Sequence, residues 1–265
     1  MHPPNNHLQT QNTAPAPFAT PVKKHSLAAR GLDDITKLGK ASVETAEELN
    51  NKGEDFLWGL NGFAKDEIQA LNLFHKAARM GYVRAQSNLG MMYSDVLSGD
   101  LKDDVLAAYW FGKAAAQGDA RAQHSIGSMY ESGLGVAKDE AQAISWYRKA
   151  ADQGDEFGQY SLGMMYANGW GVAQDNKQAF DWFFKSAEQG LADAQHILGA
   201  MYEYGDDIPR DDKQAAYWYL KAAEQGHEQS QDTLGSMYFQ GHGVPEDHEK
   251  AEYWHNKAQG IRQNC

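Results

Sequence analysis

Two histidine–carboxylate pairs are the first residues in this chain that could do chemistry. His124 precedes Glu131 by seven residues, and His196 precedes Glu203 by the same interval. An imidazole and a carboxylate can share a zinc ion or hand on a proton. On a helix, seven residues make two turns, about 10 Å along the axis, which is too long for one ion. The two histidines also sit in separate stretches, farther apart still. Nothing else strengthens a catalytic reading. There is no H-E-x-x-H, no G-x-S-x-G and no P-loop with its G-K-[ST]. The pairs Gly133/Gly135, Gly169/Gly171 and Gly241/Gly243 recur at a fixed interval and are turn devices rather than phosphate cradles. His242 and His248 fall in a loop and at a helix start, where solvation accounts for them. The one cysteine, Cys265, excludes an internal disulfide and a cysteine metal site. With no basic neighbour it is expected to be inert, and such cysteine usage fits a reducing compartment. The expectation is no catalytic residue, no metal and no cofactor.

What must position these residues is a long, regular frame. The 265 residues are 42% hydrophobic and 11% aromatic, enough for a sizeable core. Net charge is −12, and residues 45–265 hold 19 of the basic and 33 of the acidic residues. That field repels nucleic acid and anionic membranes. It suits a basic protein partner, and it also keeps an extended helical chain in solution. The start of the chain has no apolar run of signal-peptide length, and no stretch approaches a membrane span. A cytoplasmic protein without membrane insertion is therefore expected. Five of seven prolines fall in the first 21 residues among Asn, Gln, Thr and Ala. Residues 1–25 are thus expected to be a tail unable to bury enough apolar surface to order itself. Residues 26–44 turn helical, with Leu27, Ile35, Leu38 and Val43 as anchors for a helix capping the array. Residues 262–265 form a second short tail.

Between those ends the chain repeats. Trp110, Trp146, Trp182, Trp218 and Trp254 are spaced by 36 residues without a slip. Gly118, Gly154, Gly190 and Gly226 keep the interval, as do Tyr130, Tyr166, Tyr202 and Tyr238. Tyr93 lies 37 residues before Tyr130, the extra residue falling in a longer loop of the second unit. Within Ala122–Asp155, Ala122, Ile126, Met129 and Tyr130 lie on one face of a first helix. Gly133 and Gly135 break it. Asp139 with Gln142 has the pattern of a capping box, repeated at Asp66/Gln69, Asp175/Gln178 and Asp211/Gln214. A second helix then puts Ala143, Trp146, Tyr147, Ala150 and Ala151 on one face, and Gly154 ends it. Neither helix buries its stripe alone, so the hairpins must stack. Gly90, Gly127, Gly163, Gly199 and Gly235 stand mid-helix at a cost of about 1 kcal/mol each, which marks them as close helix contacts. The methionines Met92, Met129, Met165, Met201 and Met237 sit beside the tyrosines as core rather than as a soft metal strip.

The pattern A-x-x-x-L-G-x-x-Y-x-x-G-x-G-V-x-x-D…A-x-x-W-Y-x-K-A-A-x-Q-G resembles the Sel1-like repeat, a relative of the tetratricopeptide repeat. It spans residues 45–261, as five clear units and a degenerate first one. That first unit has Leu73 in place of Trp and lacks the L-G-x-x-Y signature. The last unit, with His255 and Gln259 in place of an aromatic and Ala, is more polar, as an end unit would be. The resemblance implies an all-α fold, a right-handed α-solenoid of helix-turn-helix repeats of about 36 residues. It also implies an adaptor or scaffold for a protein or peptide partner. The cysteine-rich secreted branch of the family is excluded by the missing cysteines. A fold alone does not name the partner.

Comparing units within the chain locates a candidate groove. On the first helices, one set of columns changes chemistry from unit to unit, opposite the constant Leu/Met/Tyr stripe. By analogy with tetratricopeptide repeats, this is the concave face. Its candidate partner-binding residues are His124, Glu131, Tyr160, Met164, His196, Glu203, Tyr204 and Phe239. An alternative is an inhibitor or immunity protein that neutralises a toxic effector. A second alternative is a small-ligand receptor or hydrolase, which would need a convergent polar pocket.

Overall fold

Aspartates at the repeat interval start the second helix of every unit. The computed structural model of the protein describes residues 44–94, 102–205 and 207–260. They fall within one unit of the chain, Lys40–Cys265. The expected tails at 1–25 and 262–265, and all but the last residue of the expected capping helix at 26–44, lie outside the described residues. Among the described residues there are twelve α-helices and no strand. They pair as six hairpins. These are α1 (Ala46–Trp58) with α2 (Glu67–Arg79), α3 (Val83–Tyr93) with α4 (Asp104–Ala116), and α5 (Ala120–Ser132) with α6 (Glu140–Asp152). The series continues with α7 (Glu156–Asn168) and α8 (Asn176–Gln189), α9 (Ala192–Tyr204) and α10 (Asp212–Glu224), and α11 (Glu228–Gln240) and α12 (His248–Ala258). Each second helix also packs on the first helix of the next unit, so the hairpins stack in chain order as an all-α repeat solenoid.

Asp66, Asp103, Asp139, Asp175, Asp211 and Asp247 adopt extended backbone, and each carboxylate accepts the N–H three residues on. The reciprocal half of the expected capping boxes does not form. Instead the Gln69 and Gln178 amides donate to their own Asp carboxylates, at 3.0 and 2.9 Å. The reason is that the cap's own N–H is already taken. Asp139 N–H donates to the Tyr130 carbonyl at 2.9 Å, and the same bond joins Asp103 to Tyr93, Asp175 to Tyr166, Asp211 to Tyr202 and Asp247 to Tyr238. A full capping box closes only at Thr45 and Glu48 among the described helices.

The mid-helix glycines do mark close contacts, but with a residue the sequence pattern did not single out. A Cβ at Gly90, Gly127, Gly163 or Gly199 would stand 2.5, 2.8, 2.8 or 2.8 Å from the ring of Phe111, Tyr147, Phe183 or Tyr219. Each ring immediately follows the tryptophan position. Phe74 at 0%, Tyr147 and Phe183 at 1% and Tyr219 at 2% exposure are more deeply buried than any tryptophan of the column. Trp182 is only half-buried. The first unit is less degenerate than its sequence suggests. A Cβ at Gly53 would stand 2.7 Å from the Phe74 ring, and Phe56 stands in the tyrosine place. Met92, Met129, Met165 and Met237 are buried as core, with Met201 half-buried.

Successive units are tied by buried glutamines. The Gln123 amide donates to the Ala115 carbonyl of the preceding second helix at 3.1 Å, while its oxygen accepts from Gln153 at 2.7 Å. Gln86 repeats this with Ala78 and Gln117, Gln159 with Ala151 and Gln189, and Gln195 with Ala187 and Gln225. Buried amides are thus satisfied on both ends, as burial demands. The hairpin loops set the same spacing. Gly135 (φ +68) and Gly171 (φ +64) lie on the Asp104 and Glu140 carbonyls of the preceding unit, with no room for a side chain. In the fifth unit Asp207 stands there at φ 57, and its carboxylate accepts from the Asn176 amide at 2.8 Å.

This geometry ranks two neighbouring substitutions. Phe183→Ala should cost about 3–5 kcal/mol, the range for deleting a buried ring, and Trp182→Ala distinctly less. Chemical denaturation of both variants checks the order, and the reverse order would show that the tryptophan carries the core.

Candidate partner-binding groove

The variable columns lie on the side where first helices meet. α3 packs directly on α5, and α5 on α7. Of the eight nominated residues, six are half-buried, while Tyr204 and Phe239 are exposed at 72% and 58%. The two histidine–glutamate pairs are drawn together, but around a tyrosine of the second helix rather than an ion. The Tyr147 hydroxyl donates to Glu131 at 2.5 Å, and the His124 ring centre lies 5.5 Å from the Tyr147 ring. Tyr219 donates to Glu203 at 2.7 Å, with His196 at 5.4 Å. Burial and the accepting carboxylate push both tyrosine hydroxyls well above their ordinary pKa. The unit between has no such clamp. There Tyr160 lies 5.8 Å from the Phe183 ring, and Met164 packs against the core. His124, Glu131, Tyr160 and Met164 are therefore partly structural, and the structure does not converge them on one point.

Towards the last units the face opens. A cavity of about 700 Å³ lies between α9 and α11, floored by Tyr219 and reaching Ala258 and Gln259. His196, Glu203 and Tyr204 line one wall, and Glu228, Asp232 and Ser236 the other. Beside it the His196 ring stacks on His227 at 4.5 Å. Both Nδ1 atoms reach the Ser230 hydroxyl, at 2.9 and 3.0 Å. Ser230 is fully buried. In the second to fifth units its column holds Ala85, Ala122, Gly158 and Ala194. That hydroxyl, following four units of alanine or glycine, was the available sequence signal for this site. Glu228 and Tyr219 gave none, because their columns look like surface and core. His255 lies over Gly235 in the place of the usual ring, with its Nε2 3.8 Å from an Asp232 oxygen.

Among the described residues no group of three His, Cys, Asp or Glu could hold a metal ion. No described helix is long and apolar enough to cross a membrane.

The Sel1 repeat profile matches residues 56–82, 83–119, 120–155, 157–191, 192–227 and 230–258. The chain belongs to the Sel1 repeat family. A Sel1 repeat protein from Oxalobacter formigenes is 34% identical over 83% of this chain, with a TM-score of 0.76. The protective antigen c5321 of uropathogenic Escherichia coli, which displays the same repeat fold, is 36% identical over 81%, with a TM-score of 0.75. This chain covers 63% and 46% of those two, less than two thirds of either. Immunity protein PA5088 from Pseudomonas aeruginosa aligns over 83% of this chain and 84% of its own length, at 19% identity and a TM-score of 0.52, a likeness of fold. No curated protein matches the chain. Sel1 repeats commonly mediate protein–protein interaction.

The histidines of these Sel1 repeats give the fold a pH dependence. Burial, helped by Arg79, holds His75 down to about 4. Burial also lowers His124 against the pull of Asp155 and Glu131, and burial, helped by the neighbouring His227 ring, lowers His196 against the pull of Asp193. Below its ordinary value of 6.5 the unfolded chain takes up these protons first, so stability is lost as pH falls from 6.5 toward about 4. Urea unfolding at pH 7 and pH 5 should show the lower midpoint at pH 5. Equal midpoints would contradict the desolvation of these rings.

Proposed function

We propose that this Sel1 repeat chain is an interaction scaffold that holds a polypeptide partner along the face where its first helices meet. One observation carries the reading. Columns that face the core are near-constant across units, while those on this face change chemistry and end in two exposed aromatics, Tyr204 and Phe239. Exposed aromatics at a groove are the common anchors of binding surfaces. The reading is of a binding protein rather than an enzyme, because the reactive-looking pairs are engaged with core tyrosines.

A second reading, neutraliser of a toxic effector, draws on the fold shared with PA5088. At 19% identity that fold likeness does not choose a target. It predicts one tight partner where a scaffold holds several.

Affinity capture tests the groove, with wild type beside Tyr204→Ala/Phe239→Ala and beside Tyr217→Ala/Tyr253→Ala, exposed aromatics on second helices. All three should melt alike. Partners should be lost from the first variant and kept by the second. Loss only from the second, or from neither, would move the binding face to the second helices or elsewhere.

A further inference from the structure

We infer that the cavity between α9, α11 and the end of α12 seats an arginine or lysine side chain of a partner polypeptide. This rests on the groove reading above and names the chemistry of one of its pockets. The cavity, at about 700 Å³ and open on one side, has room for a long side chain.

Its walls fix the sign of the occupant. Glu203, Glu228 and Asp232 face it, and no lysine or arginine lines it. Arg210, just before α10, is held by both oxygens of Asp212, at 2.7 and 3.2 Å. The Glu228 carboxylate has no hydrogen bond or ion pair to any described residue. Asp232 has only the His255 imidazole, at 3.8 Å and charged only when protonated. Burial disfavours the charged form of His196, and His227 is turned to Asp193 at 3.5 Å. An anion would meet three carboxylates. An apolar side chain would desolvate them and return no partner. A guanidinium or ammonium can pair with Glu228 and Asp232. Tyr204, exposed at 72% on the same wall, adds a ring face for the cation. The apolar stem of such a side chain can lie along Ala200 and the Tyr219 ring. The cavity is open to solvent rather than enclosed, which suits a side chain carried on a polypeptide rather than a free small cation.

The test uses the full chain and a fluorescein-labelled alternating Gly–Arg heptapeptide at physiological salt, read by anisotropy. The variant is Glu228→Gln/Asp232→Asn. Glu203 is left intact because it accepts from Tyr219. Asp181→Asn/Glu188→Gln, exposed on α8, is the charge-matched control. The cavity variant should bind about tenfold more weakly, and the control and wild type alike. The Gly–Gln heptapeptide should not bind. Equal weakening in both variants, equal binding of the Gln peptide, or no binding of the Arg peptide would overturn the inference. Argininamide competing as well as the peptide would overturn its polypeptide part. The two readings fail separately. If Glu228→Gln/Asp232→Asn captures every partner that wild type does, the cation pocket falls and the groove stands. If Tyr204→Ala/Phe239→Ala keeps its partners, the groove itself falls.

Discussion

At Gly53, Gly90, Gly127, Gly163, Gly199 and Gly235 the first helix offers bare backbone, and a ring of the second helix lies against it. Helix axes can come this close only where no Cβ intervenes. The approach fixes the crossing of each hairpin and, in the first five, buries the ring almost completely, and that burial outweighs the helix propensity the glycine gives up. The neighbouring columns follow from it. Tryptophan is left at the seam between units, alanine fills the tight crossings, and the tyrosine carbonyl is placed to receive the cap N–H of the second helix. Where the ring becomes His255, the last unit keeps the contact but takes on a polar edge.

Stacking needs a second device, since apolar faces alone do not specify the offset between hairpins. The first-helix glutamines supply it, each donating to an alanine carbonyl of the preceding hairpin while its oxygen accepts from a glutamine of its own hairpin. Each buried amide can satisfy both its ends only when the next helix sits at one height. The repeated glutamine-to-alanine-carbonyl bond between hairpins, with the loop glycines seated on the preceding helix start, turns six similar hairpins into one register. The acidic balance of the chain then falls on what remains exposed.

That division explains why the residues that looked most reactive are not free to react. His124 and Glu131, like His196 and Glu203, reach across a tyrosine hydroxyl that needs an acceptor once it is buried. The chain's individuality is concentrated farther along. Ser230 replaces a small apolar residue, two histidines converge on its hydroxyl, and Glu228 and Asp232 are left without a cation of their own. A fold built from repeats can hold such departures, because each unit contacts chiefly its neighbours.

The repeat interval, the hairpin in each unit, the aspartate caps and the glycines of close approach were legible in the sequence. Each is a local or periodic demand of the backbone, repeated often enough to read. The sequence also showed which first-helix columns vary. It did not show which ring meets which glycine, because Trp146 and Tyr147 lie on one helical face and only the crossing angle selects between them. Nor did it show that the capping boxes stay half-open, since the competing carbonyl comes from the other helix of the hairpin. The sequence grouped the candidate histidines and glutamates on one helical face, yet their distribution between clamp and cavity was decided by Tyr147, Tyr219 and Glu228. Those residues belong to other helices, and only stacking brings them within hydrogen-bond reach. Periodicity therefore determined the elements and their order. The three-dimensional stack determined which side chains are spent holding it together and which are left to meet a partner.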